Sequence, residues 1–530
     1  MRRALLCCAL FTLAVTGCSS SAATMGPYQP YPSQDYYPGP PAASDAGAAT
    51  IAPAWPWPTY PPQAPPQTTP YPPVIFPSLP INSYTDTTYD SVSTFGLDVD
   101  TASYTVARGY VSRGLKPDTN SVRPEEWVNY FDQGYPDPET GTFAIYADGG
   151  RTPFLSPGEV LVRIGVKARG AWHGARPPMA LTFVVDVSGS MEEGGRLEMV
   201  KGALSLLASQ LTAQDRVAIV AFSTTARVVL GSTPGSDRQR ILGAIATLRP
   251  DATTNAEAGL RLGYQLEREQ FIKGGINRVV FATDGVANVG TTSSSGILSE
   301  LGANAASGIQ LVAVGVGMGN YNDKLLEELA DKGQGYYAYV DSPAEAKRIF
   351  VDELATTMQT IALNAKAQVQ FNPEVVAGYR LIGYEDRGMP DSSFRNDAAT
   401  GGAVSAGHEV TALYALVLRR PEWGMQQVAT VGLRWTDPST MRAQEIAQDV
   451  YFGDLAADFR NTDSHFKLAS LVAATAEVLR GSPWIPNYRL SDLRSAAAEM
   501  RGWLPQSAEV ADFMSMLDQL GKMGGWQYDG

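Results

Sequence analysis

Histidine and cysteine are almost absent from this chain, with three of each in 530 residues. Cys7 and Cys8 lie inside an apolar amino-terminal stretch and Cys18 lies just past it. A chain cleaved before Cys18 keeps one cysteine, which excludes a disulfide framework and thiolate-pair chemistry. Basic runs are missing too. The net charge is −13 and the pI about 4.9, so nucleic acid is excluded as a partner, and the acidity serves solubility. Long apolar runs are also missing. Residues 4–15 form the longest, well short of the ~20 needed to span a bilayer, so the mature chain has no transmembrane helix.

What is present begins with a targeting signal. Arg2 and Arg3 precede the apolar stretch, and Val15-Thr-Gly-Cys18, which resembles a bacterial lipobox, closes it. Residues 1–17 are expected to be a lipoprotein signal peptide, with Cys18 lipidated after cleavage. The body would then hang by lipid in a bacterial envelope. Ser19 favours the outer membrane, facing the periplasm or the cell surface. Residues 18–85 are rich in Ser, Ala and then Pro with Tyr and Trp. That composition predicts a disordered, extended tether.

Past the tether, residues 86–140 read as a segment with a short strand, a helix and a second helix opening on Glu125 and Glu126. Asp98 and Asp100 resemble half of a metal loop, but Asp100 or Thr101 as the cap of the helix is the preferred reading. Residues 179–358 alternate strand and helix, which predicts a doubly wound parallel sheet. β-type alternation flanks this unit in residues 141–178 and 365–450. Neither flank alone makes a comfortable sandwich. The expected fold is therefore an α/β unit inserted into a β-sandwich-like domain. Residues 451–530 are expected to be helical, with helices over 455–481 and 490–520.

The α/β unit carries the chemistry. The apolar strand over residues 181–185 runs into Asp186-Val-Ser-Gly-Ser190, three hard oxygen donors at alternate positions. Thr254 lies in Asp251-Ala-Thr-Thr-Asn255, a loop entering a helix, and Asp284 follows the apolar strand in Phe281-Ala-Thr-Asp-Gly285. Open α/β sheets bind ligands at this carboxyl edge, and such donors suit Mg²⁺. Gly315-Val-Gly-Met-Gly319 lacks nucleotide-loop spacing and reads as a turn. His173, His408 and His465 lie outside these loops, so a hydrolytic base is not evident. His408 sits in a β run and reads as a packing residue.

Asp186, Ser188, Ser190, Thr254 and Asp284 together resemble the metal ion-dependent adhesion site (MIDAS) of von Willebrand factor type A (VWA) domains. Where that family has a Gly-Gly pair before the threonine, this chain has Ala252-Thr253. Phe95-Gly-Leu-Asp-Val-Asp-Thr-Ala-Ser-Tyr104, Val122-Arg-Pro-Glu-Glu-Trp-Val-Asn-Tyr-Phe131, Tyr379-Arg-Leu-Ile-Gly-Tyr-Glu385 and Gly407-His-Glu-Val-Thr-Ala-Leu-Tyr414 are similar to the bacterial YfbK-like lipoproteins. The resemblance implies a Rossmann-like VWA domain that holds Mg²⁺, with Mn²⁺ or Ca²⁺ as alternatives. It implies a protein partner that presents Asp or Glu to the metal, in metal-dependent interaction or adhesion. A structural envelope protein with an internally satisfied metal is the alternative, and a metal-dependent hydrolase ranks below both.

Overall fold

The computed structural model describes residues 76–523, apart from 171–175, 252–253, 286–293, 318–322, 353–358, 420–424 and 486. Cys18, the signal stretch and most of the expected tether lie outside the described residues, as do His173, Ala252 and Thr253.

The chain opens with two short strands, β1 (Thr85–Asp86) and β2 (Val92–Gly96), then helices α1 (Ala102–Ser112) and α2 (Pro124–Asn129), then strands β3 (Phe143–Gly150) and β4 (Glu159–Ala168). The α/β unit follows: β5 (Met179–Asp186), α3 (Arg196–Gln210), β6 (Arg216–Phe222), β7 (Ala226–Pro234), α4 (Arg238–Ala246), α5 (Ala256–Glu269), β8 (Ile276–Thr283), α6 (Ser294–Ala306), β9 (Ile309–Val316), α7 (Asp323–Lys332), β10 (Tyr336–Val340) and α8 (Pro343–Lys347). The remainder is β11 (Thr360–Phe371), β12 (Val376–Ile382), β13 (Gly402–Ser405), β14 (Glu409–Leu418), β15 (Gln427–Asp437), β16 (Arg442–Tyr451), β17 (Leu455–Ala456), then α9 (Ser464–Leu479), α10 (Leu490–Met500) and α11 (Ala508–Lys522).

The sheet of the α/β unit has the order β10-β9-β8-β5-β6-β7. All neighbours are parallel except β7, which runs antiparallel to β6. Both faces are covered, so β5 is apolar at almost every position. Leu181, Phe183 and Val185 enter a core with α3 and α4, while Val184 enters the opposite core with Leu260 and Tyr264 of α5. Such burial places β5 in the middle of the sheet and its end at the centre of the carboxyl edge.

Two further sheets make the β domain. One has the order β1-β12-β14-β4-β3-β17. The other has β13-β11-β15-β16, with β2 also paired to β11. The pleat explains a third layer. Val160, Val162, Ile164 and Val166 of β4 face the second sheet, while Leu161 faces helices. Val410, Ala412, Tyr414 and Leu416 of β14 likewise face the sandwich, and Leu413 and Ala415 face α2 and α9. The chain before the α/β unit thus supplies β1 to β4, and the chain after it supplies the rest.

Four expectations are corrected. Order begins before residue 86: the Asn82 amide donates to Gly383 O at 2.8 Å, and Tyr84 packs edge-on against Trp484. Asp100 does not cap α1, and Thr101 makes no side-chain cap bond. Asp100 instead accepts from Tyr337 N at 2.9 Å, and Asp98 and Asp100 both lie against Arg387. The α1 amino terminus takes its acceptor from α2, with Ser103 N donating to Glu126 Oε2 at 2.8 Å. The helix expected from 455 starts at Ser464, because Asp463 accepts from His465 N and Phe466 N as its cap. The helix expected over 490–520 is two helices. Leu504 before Pro505 is extended, and Ser507 caps the second helix.

Candidate functional site

Burial of all of β5 carries Asp186 to the carboxyl edge, with the side chain 0% exposed. Val187 N donates to Phe222 O at 2.9 Å, which ties the departing chain to β6. The chain then folds back on the aspartate. Ser188 N donates to Asp186 Oδ1 at 2.8 Å, and the Ser188 and Ser190 hydroxyls lie 3.1 Å apart. Thr283, the last residue of β8, donates its hydroxyl to Asp186 Oδ2 at 2.7 Å. Both carboxylate oxygens are therefore held. Burial pushes the Asp186 carboxyl up to about 6, against the hydrogen bonds from Thr283 and Ser188, and the Asp284 charge adds to the rise.

Thr254 is half-buried in a loop anchored at both ends. On one side Asp251 N donates to Val187 O at 2.5 Å, and Ser223 Oγ donates to Asp251 Oδ2 at 3.0 Å. On the other, Asn255 N donates to Ser223 O at 2.7 Å, while the Asn255 side chain caps α5 by accepting from Ala258 N. These bonds lay the described ends of the Thr254 loop against the ends of β5 and β6.

Asp284 is buried beyond the end of β8. Its Oδ2 accepts from Arg196 Nη1 at 2.8 Å, and the same nitrogen donates to Ser190 O at 3.0 Å. Arg196 opens α3 after Gly194 and Gly195, both in the left-handed region with φ 59° and 72°. The arginine stem lies over Gly317, where an added Cβ would come within 2.3 Å of Nε. Of the expected turn at Gly315-Val-Gly-Met-Gly319, Gly315 and Val316 close β9, Gly317 seats the arginine, and the last two residues lie outside the described residues.

The five predicted residues stand on three loops at one sheet edge, and hydrogen bonds join those loops. Sequence reasoning missed Thr283 and Arg196. The only signals were a hydroxyl residue beside Asp284 and a cation in the first turn of a helix, where the dipole disfavours it. His408 lies elsewhere, against Tyr336 at the amino end of β10, the opposite edge of the sheet. Burial lowers its pKa to about 4.

The donor set fits a small hard cation. No cluster of three His, Cys, Asp or Glu suited to a metal occurs among the described residues, so hydroxyls must complete any such site. Adjacent oxygens around octahedral Mg²⁺ are ~3 Å apart, which matches the Ser188–Ser190 separation of 3.1 Å. Gly189, Glu192 and Glu193 form an exposed rim beside the serines.

Three family models match the chain. Residues 180–352 match the von Willebrand factor type A domain, residues 356–523 the carboxy-terminal domain of the uncharacterized protein YfbK, and residues 75–163 a von Willebrand factor model. The uncharacterized protein YfbK of Escherichia coli (strain K12) is 32% identical over 452 residues, which cover 81% of this chain and 77% of that protein. An uncharacterized protein of Synechocystis sp. is 28% identical over 286 residues, 53% of this chain and 66% of the relative. Among solved structures, a von Willebrand factor type A protein from Catenulispora acidiphila is 15% identical with a TM-score of 0.42, covering 74% of this chain and 91% of that one. A chain so related over most of both lengths, and matched by the von Willebrand factor type A and YfbK carboxy-terminal models, belongs to the YfbK family of von Willebrand factor type A proteins.

Proposed function

We propose that this protein is a lipid-anchored envelope protein that grips a protein partner through a divalent cation held by Asp186, Ser188, Ser190, Thr254 and Asp284. VWA domains commonly mediate protein–protein interaction, and the geometry of the carboxyl edge supports that use here. The observation that carries the reading is the Asp186 loop: a buried carboxylate with both oxygens held, beside two hydroxyls 3.1 Å apart. When bound, Mg²⁺, Mn²⁺ or Ca²⁺ supplies an electrophilic position for an Asp or Glu carboxylate of the partner.

The chain's own residues prepare that position. Thr283 and Ser188 N orient Asp186, and the Asp251 and Asn255 ties hold Thr254. Ser190 is half-buried beside the exposed Gly189 and Glu192, which supports an approach from that side, while Ser188 is buried behind it. Contacts between the α/β unit and its neighbours include bonds to the amino-terminal part of the sheet, such as Tyr337 N to Asp100 and Arg278 to Thr360. At the carboxyl edge the amino-terminal segment reaches β10, where Arg108 holds Asp341 three strand positions from β5, which supports a site open to a partner over one closed by the chain itself. Among the described residues, His408 stands at the opposite edge and His465 in the first turn of α9, which supports binding over hydrolysis.

Cys18, as the lipidated residue, would display this site away from a membrane. Crosslinked pull-down from the envelope tests the reading, comparing wild type with Asp186→Ala, each with and without EDTA. Capture should be lost in the variant and in chelator while the fold persists. Capture that survives both treatments would sink it. Cys18→Ala should move the protein from the membrane fraction to the soluble one.

A further inference from the structure

The Arg196 guanidinium stands in the one place of the site where a cation is not expected. Arg196 is the first residue of α3, and a cation there opposes the helix dipole. The residue is also buried, 5% exposed, so desolvation adds to the cost. What offsets both is the carboxyl edge itself. Nη1 donates to Asp284 Oδ2 at 2.8 Å and to Ser190 O at 3.0 Å, so one nitrogen spans two of the predicted ligand loops. The exposed Glu193 carboxylate is farther, 3.7 Å from Nη2. Gly317, left-handed at φ +73°, leaves the space that the arginine stem fills. Position, partners and seat all direct the charge at Asp284.

We propose that Arg196 sets the charge of this site: it offsets one of the two carboxylates, lowering cation affinity and leaving more positive charge to meet an acidic ligand. This rests on the reading of the site as a divalent cation site. With Asp186 and Asp284 alone the loops carry two negative charges, which a divalent cation neutralises. With Arg196 on Asp284 the ligand set carries one, so the loaded ligand set is net positive, with the exposed Glu192 and Glu193 carboxylates on the rim beside it. Arg196 touches no ligand of the partner in this account and acts through Asp284.

Mn²⁺ alone is the probe, titrated into the full chain and followed by the loss of its free paramagnetic signal. Wild type is compared with Arg196→Gln, Arg196→Met and Arg196→Lys, and with Asp186→Ala. Met keeps the apolar stem over Gly317, so it preserves the packing should Gln fail to fold. The neutral variants should bind Mn²⁺ about tenfold more tightly than wild type, equivalent to about 1.4 kcal/mol. The lysine variant, which keeps the charge, should stay within about threefold. Neutral variants that fold and bind Mn²⁺ equally or more weakly would overturn the inference and assign Arg196 a structural role. Binding seen only in the neutral variants, and abolished when Asp186→Ala is added, would support it strongly. Mn²⁺ binding that ignores Asp186→Ala in every background would instead remove the cation-site reading itself.

Discussion

Arg108 of α1 holds Asp341 through two parallel hydrogen bonds of 2.7 Å, from Nε to Oδ2 and from Nη2 to Oδ1. Asp341 follows the last residue of β10, so the pair clamps the amino-terminal segment to the edge of the α/β unit. Nη2 also reaches Glu345 Oε2 at 2.8 Å, and Nη1 donates to the Tyr130 hydroxyl at 2.8 Å. The same helix is apolar on two sides. Ala102 and Val106 pack into the α/β core, and Tyr104, Ala107 and Val111 into the helical core.

Arg108→Ala should therefore loosen two cores at once. It leaves the Asp341 and Glu345 carboxylates, 8% and 1% exposed, without this cation. Breaking one side of a buried pair costs ~3–5 kcal/mol. Urea denaturation of the full chain measures the loss, and amide exchange should rise first in α1. Wild-type stability in the variant would show that the clamp contributes nothing.

Thr283→Val removes the hydroxyl that donates to Asp186 Oδ2. A buried acceptor left without its donor costs ~1–3 kcal/mol. The melting temperature should fall modestly, and Mn²⁺ binding should weaken because Asp186 is no longer oriented. Unchanged Mn²⁺ affinity would remove Thr283 from the site.

Glu267 gives a pH signature. It lies behind β5, where its Oε2 accepts from the Thr182 hydroxyl at 2.7 Å and the Gln270 amide at 2.9 Å. Burial pushes its carboxyl up from 4.5 to about 7, against those hydrogen bonds. An acid whose folded pKa is raised holds its proton longer in the folded state. Its ionisation penalty is absent below 4.5, grows as pH rises to about 7, and is constant above that. Glu267→Gln should remove this slope and be the more stable protein at pH 8, by on the order of 3 kcal/mol at most. Parallel stability–pH curves for the two proteins would refute the assignment.

Gly317→Ala tests the seat of Arg196. The residue is left-handed, and the new Cβ would stand 2.3–2.4 Å from three atoms of the arginine stem. Backbone strain and displacement of the stem together should cost ~1–3 kcal/mol. A thermal melt reads the loss. A variant with wild-type stability would show that the stem relocates freely.

Much of this protein is legible in its residues taken in order. The apolar run into Asp186-Val-Ser-Gly-Ser190 defines both a central strand and the loop at its end, because burial on two faces demands such a run. Alternation in β4 and β14 marks strands, and Asp186, Thr254 and Asp284 mark strand-end or helix-entry loops. These features are local, carried by neighbouring residues through pleat, turn and cap. The tertiary structure alone decided the rest. Asp98 and Asp100 suggest a cap or a metal loop, yet they meet Arg387, and Asp100 lies 287 positions from it. Even faces of β4 and β14 could not be assigned to sandwich or helices until the chain's two flanks were joined. Arg196 reads as an ordinary helix-opening residue until Asp284, 88 positions on, is folded beside it. Ion pairs and orienting hydrogen bonds are set by the docking of distant segments, and no periodicity in the chain encodes which carboxylate a buried arginine will meet.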